Sequence, residues 1–145
     1  MRTKEDFRPL ADAAIDASRQ SYSPYSQFKV GAAILTADRK VYQGTNVENA
    51  SYGGTICAER TALVKLVSEE RHTMEARAPR TYIEAIAVAS NLRGEAVCPC
   101  GMCLQFMQEF MSGHEPIILV NRDTRVIEQV LTLQELLPHA FRLLD

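Results

Sequence analysis

Three of the chain's four cysteines fall within the single stretch "VCPCGMCLQF" (97–106), and the fourth, Cys57, lies far upstream in "CAERTAL". Whatever engages these thiols together must tie two distant segments to one point, which restricts the fold more than any other feature of the sequence. Three arrangements satisfy it: a disulfide, a closed metal knot, or one side of a catalytic metal site completed from elsewhere. The opening residues "MRTKEDFRPLADAAID" mix charged with apolar side chains and lack the uninterrupted apolar core of a signal peptide. No apolar run approaches the length needed to span a membrane. The expectation is a cytoplasmic protein with no membrane partner, and in a reducing compartment a tight cysteine cluster is metal-binding or catalytic rather than disulfide-bonded.

The spacing narrows the choice. Cys100 and Cys103 are three residues apart, so at the start of a helix both thiols project from its first turn on one side. Cys57 is placed at the start of another helix, with Glu59 inside that helix's first turn. Helix N-termini carry partial positive charge and favour the thiolate that zinc requires. Cys57, Cys100 and Cys103 would give three protein ligands and leave a fourth position for water, the mark of a catalytic rather than a structural zinc. A C-x-x-C alone also occurs in redox motifs and structural sites. The competing arrangement adds Cys98 as a fourth ligand and closes the site. Pro99 separates Cys98 from Cys100 in an extended segment where their side chains diverge, so Cys98 is expected to be a small packed residue.

The remainder of the chain reads as one α/β domain over residues 1–145. Apolar positions recur at helical spacing over 7–19 until "SYSPYS" breaks them. Two strands, 28–35 and 40–46, join through a polar turn at 37–39 as a hairpin. A helix runs through "CAERTALVKLVSEE", and polar "RHTMEARAPRT" reads as a surface connection. "YIEAIAVAS" is β-rich, "CGMCLQFMQEFM" is helical, "PIILV" is a strand buried on both faces, and "LTLQELLP" is a last short helix. This alternation argues for a mixed sheet between helix layers. Sixteen Lys and Arg against eighteen Asp and Glu give a net charge of -2, with no basic run to follow a phosphate backbone, so no nucleic-acid partner is expected.

C-A-E followed by P-C-x-x-C is the pattern of zinc nucleobase deaminases in their three-cysteine variant. Beyond it, "SYSPYSQFKVGAA", "NVENASYGGTICAERTAL", "CPCGMC" and "ELLPHAF" resemble, in order, blocks of the small cytidine deaminases, over nearly the whole chain. The resemblance implies an α/β/α three-layer sandwich around a mixed five-stranded sheet, and a Zn²⁺-dependent hydrolysis of free cytidine and deoxycytidine to uridine and deoxyuridine plus ammonia, in pyrimidine salvage. It assigns Cys57, Cys100 and Cys103 to zinc and Glu59 to the proton shuttle. Asn46 and Glu48 would bind the ribose hydroxyls, Phe28 would pack on the nucleoside, and Ala58 with the Thr55–Cys57 backbone would line the base pocket. Arg60 would donate to the ligand sulfurs. Phe141 would enter a neighbouring subunit's active site in a homotetramer with shared sites, and Tyr25 and Tyr52 would lie near subunit contacts.

Each role has a plainer competitor: Asn46 as a turn residue, Phe28 as core, Glu48 as a solvated charge, Tyr25 as a turn residue, Arg60 as an exposed helix arginine and Phe141 as a tail hydrophobe. Their joint order around the cysteine motif favours the functional set. Two positions depart from the family pattern. Leu104 stands where an arginine usually follows the last ligand, and Gly54 stands where a larger apolar residue is usual. A modified aminopyrimidine nucleoside as substrate, or a zinc-stabilised module without turnover, are the alternatives.

Overall fold

The computed structural model describes residues 2–143. Its strands are β1 (Gly31–Thr36), β2 (Val41–Thr45), β3 (Ile83–Ser90), β4 (Pro116–Asn121) and β5 (Ile127–Thr132), and its helices are α1 (Arg8–Ser18), α2 (Ala58–Glu75), α3 (Gly101–Phe110) and α4 (Leu133–Leu136). The strands form one mixed sheet in the order β2-β1-β3-β4-β5. β3 and β4 are parallel and joined through α3, while the other neighbouring pairs are antiparallel.

Alternation along the strands sends side chains to two cores. Ala33, Ala85, Ala87, Ala89, Ile118 and Val120 face α1, where they meet Phe7, Leu10, Ala11, Ala14 and Ile15. Ala32, Ile34, Ile86, Val88, Ile117 and Leu119 face the opposite way, against Ala62, Leu63 and Leu66 of α2 and Leu104 and Met107 of α3. The result is the expected α/β/α sandwich. Alanines on the α1 face allow a close approach, and Gly31 completes it: a Cβ there would lie 2.0 Å from the Ala14 carbonyl oxygen. Gly44 does the same for α2, since a Cβ would lie 2.4 Å from the Ala62 nitrogen and 2.6 Å from the Ala58 oxygen. The first turn of α2, which carries Glu59, is thereby seated directly on β2.

The structure moves several expected boundaries. β1 starts at Gly31 rather than at Phe28, because the Phe28 carbonyl and the Val30 amide bond the Asn46 side chain, and the Phe28 amide the Ser26 hydroxyl, in place of ladder partners. α2 continues to Glu75, through half of the segment expected to be a surface connection. β5 was not apparent in the chain's own patterning. It is an edge strand with one buried residue, and it takes Leu131 and Thr132 from the expected last helix, leaving α4 a single turn capped by Thr132 and Glu135.

Gly44→Ala should destabilise the fold by about 2–3 kcal/mol through overpacking against α2, read as a lowered urea midpoint. Gly53→Ala, whose Cβ meets nothing within 4 Å, should stay within about 0.5 kcal/mol of the parent.

Candidate active site

Both helices that frame the site begin on a cysteine. Cys57 occupies the N-cap of α2 (φ -71°, ψ 157°) and Cys100 the N-cap of α3 (φ -72°, ψ 166°), and neither thiol caps its own helix. Replacing the favoured Ser, Thr, Asp or Asn costs about 1 kcal/mol per helix. In return the two sulfurs approach to 4.0 Å. Cys103, one turn into α3 and fully buried, completes a group whose ligand atoms all lie within 4.8 Å of one another. Three thiolates at ~2.3 Å from a tetrahedral zinc stand roughly 3.8 Å apart, so this spacing fits the ion. Cys98 is exposed and stands outside the group.

The charges fit it too. Hydrogen bonding from Cys103, with help from Arg60 and Cys100, lowers the Cys57 thiol to about 5 against the effect of burial. The same contact with Cys57, burial and neighbouring Glu59 push the Cys103 thiol far up. The Cys57 and Cys103 thiols are thus driven in opposite directions, and a divalent cation held by the sulfurs would supply positive charge that favours the thiolate form. Arg60 contributes part of it: its Nη2 donates to the Thr55 carbonyl at 3.4 Å and lies 3.8 Å from the Cys57 sulfur. Glu59 is 4% exposed. Burial raises its pKa and the Cys57 charge adds to the effect, against a hydrogen bond with Cys103. A carboxyl in that condition can both take and return a proton.

A cavity of about 340 Å³ opens over the cluster, lined by Phe28, Asn46, Glu48, Thr55, Cys57, Ala58, Glu59 and Cys100. Its volume falls in the range of small-molecule sites, roughly 300–1,000 Å³. Two short backbone links assemble it. Val47 and Ile56 exchange hydrogen bonds of 2.9 and 3.0 Å, closing the 48–55 loop and setting Asn46 and Glu48 beside Thr55 and Cys57. Tyr22 pairs with Val47 on the other side. Asn46 is 7% exposed. Its Nδ2 donates to the Phe28 carbonyl at 2.7 Å, and its Oδ1 accepts from the Val30 amide at 3.0 Å and from the Ser21 hydroxyl. Glu48 Oε1 accepts from the Tyr25 and Ser26 amides at 3.0 and 3.1 Å, and Oε2 accepts from the Ser26 hydroxyl. The Ser26 hydroxyl bond leads in holding the Glu48 carboxyl below its usual range.

Sequence reading did not find Ser26, Val30, Val88, Ser90, Val97 and Pro99, which also line the cavity. Cys98 lines it as well, exposed rather than packed away as expected. Val88 and Ser90 stand at the end of β3 and the others in loops, where small apolar and hydroxyl residues carry no spacing signal that points to a site, and only the folded chain gathers them. Phe141 is 68% exposed and lies elsewhere, in a groove of about 730 Å³ shared with Arg60, Met102, Gln105 and Phe110. Gln105 Nε2 of α3 donates to the Phe141 carbonyl at 2.9 Å and so ties the segment after α4 to α3. Tyr25 and Tyr52 are exposed and paired, with ring centroids 5.7 Å apart. Leu104 packs into the core against α2. A Cβ at Gly54 would be 3.8 Å from Asn49, so the backbone there has room for a larger side chain.

The model of the cytidine and deoxycytidylate deaminase zinc-binding region matches residues 4–119, a span that includes all four cysteines. The chain belongs to this family. A cytidine deaminase of Halalkalibacterium halodurans is 43% identical over 136 residues, covering 94% of each chain, and one from Sporosarcina psychrophila is 40% identical, covering 94% of this chain and 91% of its own. The crystal structure of cytidine deaminase from Burkholderia pseudomallei is 40% identical and superposes with a TM-score of 0.79, covering 97% of this chain and 100% of that one. Zinc is therefore the cofactor, and the three-sulfur cluster is the group of described residues that fits it. No helix among the described residues is long and apolar enough to cross a membrane.

If the cluster is the metal site, Cys103→Ala should lose its zinc on dialysis while Cys98→Ala keeps about one ion per chain, measured by metal analysis of the purified proteins.

Proposed function

We propose that this deaminase hydrolyses free cytidine and deoxycytidine to uridine and deoxyuridine with release of ammonia, a salvage reaction of the cytoplasm. Cys57, Cys100 and Cys103 are the zinc ligands and Glu59 carries the protons. The observation that carries this reading is a buried carboxyl, Glu59, beside the sulfur cluster and lining the same 340 Å³ cavity as Asn46 and Glu48.

Zinc, when bound, supplies a Lewis acid that makes water nucleophilic near neutral pH. Glu59 does the proton work. It accepts a proton from the attacking water and gives one to the pyrimidine N3, which makes C4 electrophilic enough for the C–O bond to form. It then takes the proton of the new C4 hydroxyl and delivers it to the exocyclic nitrogen, so that the C4=O bond forms as the C4–N bond breaks. One water enters, one ammonia leaves, and the carboxylate returns to its starting state. Arg60 offsets the negative charge of the thiolates, standing where Leu104 supplies none.

Recognition of the sugar fits the hydrogen-bond inventory. Asn46 uses one amide N–H on Phe28 and both oxygen lone pairs on Val30 and Ser21, leaving its second N–H for a ribose hydroxyl. Glu48 keeps acceptor capacity on Oε2 for a hydroxyl that donates. Phe28 packs on the nucleoside, and Thr55 and Ala58 contact the base. The reading extends to a homotetramer in which Phe141 of one chain reaches a neighbour's site. The exposure of Phe141, Tyr52 and Tyr25 supports it.

Glu59→Gln should bind zinc and nucleoside yet lower kcat for cytidine by about 10³-fold, followed by the loss of cytidine ultraviolet absorbance with uridine and ammonia quantified in the same sample. Substantial turnover by the zinc-loaded variant would rule out the shuttle.

A further inference from the structure

We propose that Asn121 and Glu128, neither of which lines the cavity, are positioning residues that hold one wall of it in register with Glu59. The inference rests on the reading of that cavity as the nucleoside site.

The wall is formed by Val97, Cys98, Pro99 and Cys100. It follows a tight reversal in which Leu92 and Glu95 exchange backbone hydrogen bonds of 2.9 and 3.1 Å across Arg93 (φ 55°) and Gly94 (φ 83°), both in the left-handed region. A two-residue turn with both φ positive is a rigid reversal. The segment between it and α3 lies outside the named strands and helices, so side chains from other elements supply its restraints. The Gly94 carbonyl accepts from Asn121 Nδ2 at 2.7 Å, the Ala96 amide donates to Glu128 Oε2 at 2.7 Å, and the Val97 amide donates to the Ser90 hydroxyl at 3.1 Å.

Asn121, at the end of β4, is the hub. It is 1% exposed. Besides Gly94, its Nδ2 donates to Glu128 Oε1 at 3.2 Å, and its Oδ1 accepts from the Asp123 and Thr124 amides at 3.0 and 3.1 Å. Both donors and both acceptor positions of the amide are thus in use, which fixes its orientation. Glu128 on β5 is oriented in turn, one oxygen toward Asn121 and the other toward Ala96. A half-buried network centred on a buried amide with every donor and acceptor in use holds its members in one arrangement. The β4–β5 edge therefore sets where residue 96 lies, one position before the wall begins and four before the Cys100 thiol.

The arrangement predicts a defined exchange of partners. In Glu128→Gln the amide must turn its N–H₂ toward either Asn121 Nδ2 or the Ala96 amide, both donors, so one contact is lost. Asn121→Asp keeps its acceptor bonds to Asp123 and Thr124 but loses both donors and faces a carboxylate. With both changes made together, the new amide at position 128 can donate to the new carboxylate at position 121 and still accept from the Ala96 amide, while the Gly94 carbonyl stays without its donor, so the pair restores the contacts of position 128 alone.

The test is steady-state kinetics on cytidine with zinc content measured in parallel, on the parent, both single variants and the N121D/E128Q pair. Glu128→Gln, which loses one charge-assisted hydrogen bond, should raise KM about tenfold, and Asn121→Asp, which loses two donors and sets two carboxylates side by side, at least as much, with kcat within about twofold of the parent and zinc retained in both. The pair should lower KM at least about threefold below that of Asn121→Asp. Unchanged KM in both single variants, or a pair no better than Asn121→Asp, overturns the proposal. A stability defect alone would not produce this split or this rescue. Should the single variants fail to fold, amide hydrogen exchange in the substrate-free parent decides: the Ala96 amide should be protected at least about 100-fold over an exposed loop amide, and free exchange there overturns the proposal. A parent that turns over no cytidine contradicts the functional reading. Active parent with unshifted variants contradicts this one.

Discussion

Two helices begin on cysteines that approach each other to 4.0 Å, and this convergence organises the rest of the molecule. Helix N-termini carry partial positive charge, which draws thiolates toward them, yet the thiolates repel one another. The opposed shifts of Cys57 and Cys103 express that conflict in the chain alone. A cation resolves it, and Arg60, 3.8 Å from the Cys57 sulfur, is a positive charge that the protein itself brings. The sandwich exists in the form that makes this meeting possible: β3 and β4 run parallel with α3 between them, and α2 lies so close on β2 that residue 44 has no space for a side chain.

The side of the cavity that carries Phe28, Asn46 and Glu48 is built by a different physics. No metal or helix end fixes Phe28, Asn46 and Glu48. Their positions come from side chains that take the place of ladder hydrogen bonds, with Asn46 bound to residues 28 and 30 and Glu48 to residues 25 and 26. Groups proposed to meet the sugar are therefore also the ones that hold the loops in place. Substituting them disturbs loop geometry together with any contact to ligand, and a loss of affinity there measures both.

The cysteines, Glu59 and the two framing helices were legible in the sequence, because metal chemistry demands particular residue types at particular spacings. The layered fold followed from helices alternating with strands after an initial hairpin, with "YIEAIAVAS" β-rich and "PIILV" wholly apolar. What was not legible lacked such a constraint. Residues 71–75 carry no apolar stripe, but once α2 is nucleated each added residue extends the hydrogen-bond ladder at little cost. β5 is an edge strand interrupted by Glu128 and Gln129, so its alternation is weak, although five strands were implied by the family resemblance. Pro99 belongs to the P-C-x-x-C pattern, but the placement of the wall at 97–99 was not legible, since the hydrogen bonds that hold it come from the Ser90 and Glu128 side chains and form only in the folded chain. Leu104 was read as a missing charge, and the structure adds that its side chain is part of the core against α2.

The central claim is that three thiolates hold a metal with one position open into the nucleoside cavity. The direct test is the visible spectrum of the cobalt-substituted protein, titrated with nucleoside. Tetrahedral thiolate ligation with an accessible fourth site predicts an intense d–d envelope that shifts saturably as cytidine or uridine is added. A tetrahedral spectrum that ignores saturating nucleoside would mean a closed site, and would contradict the account.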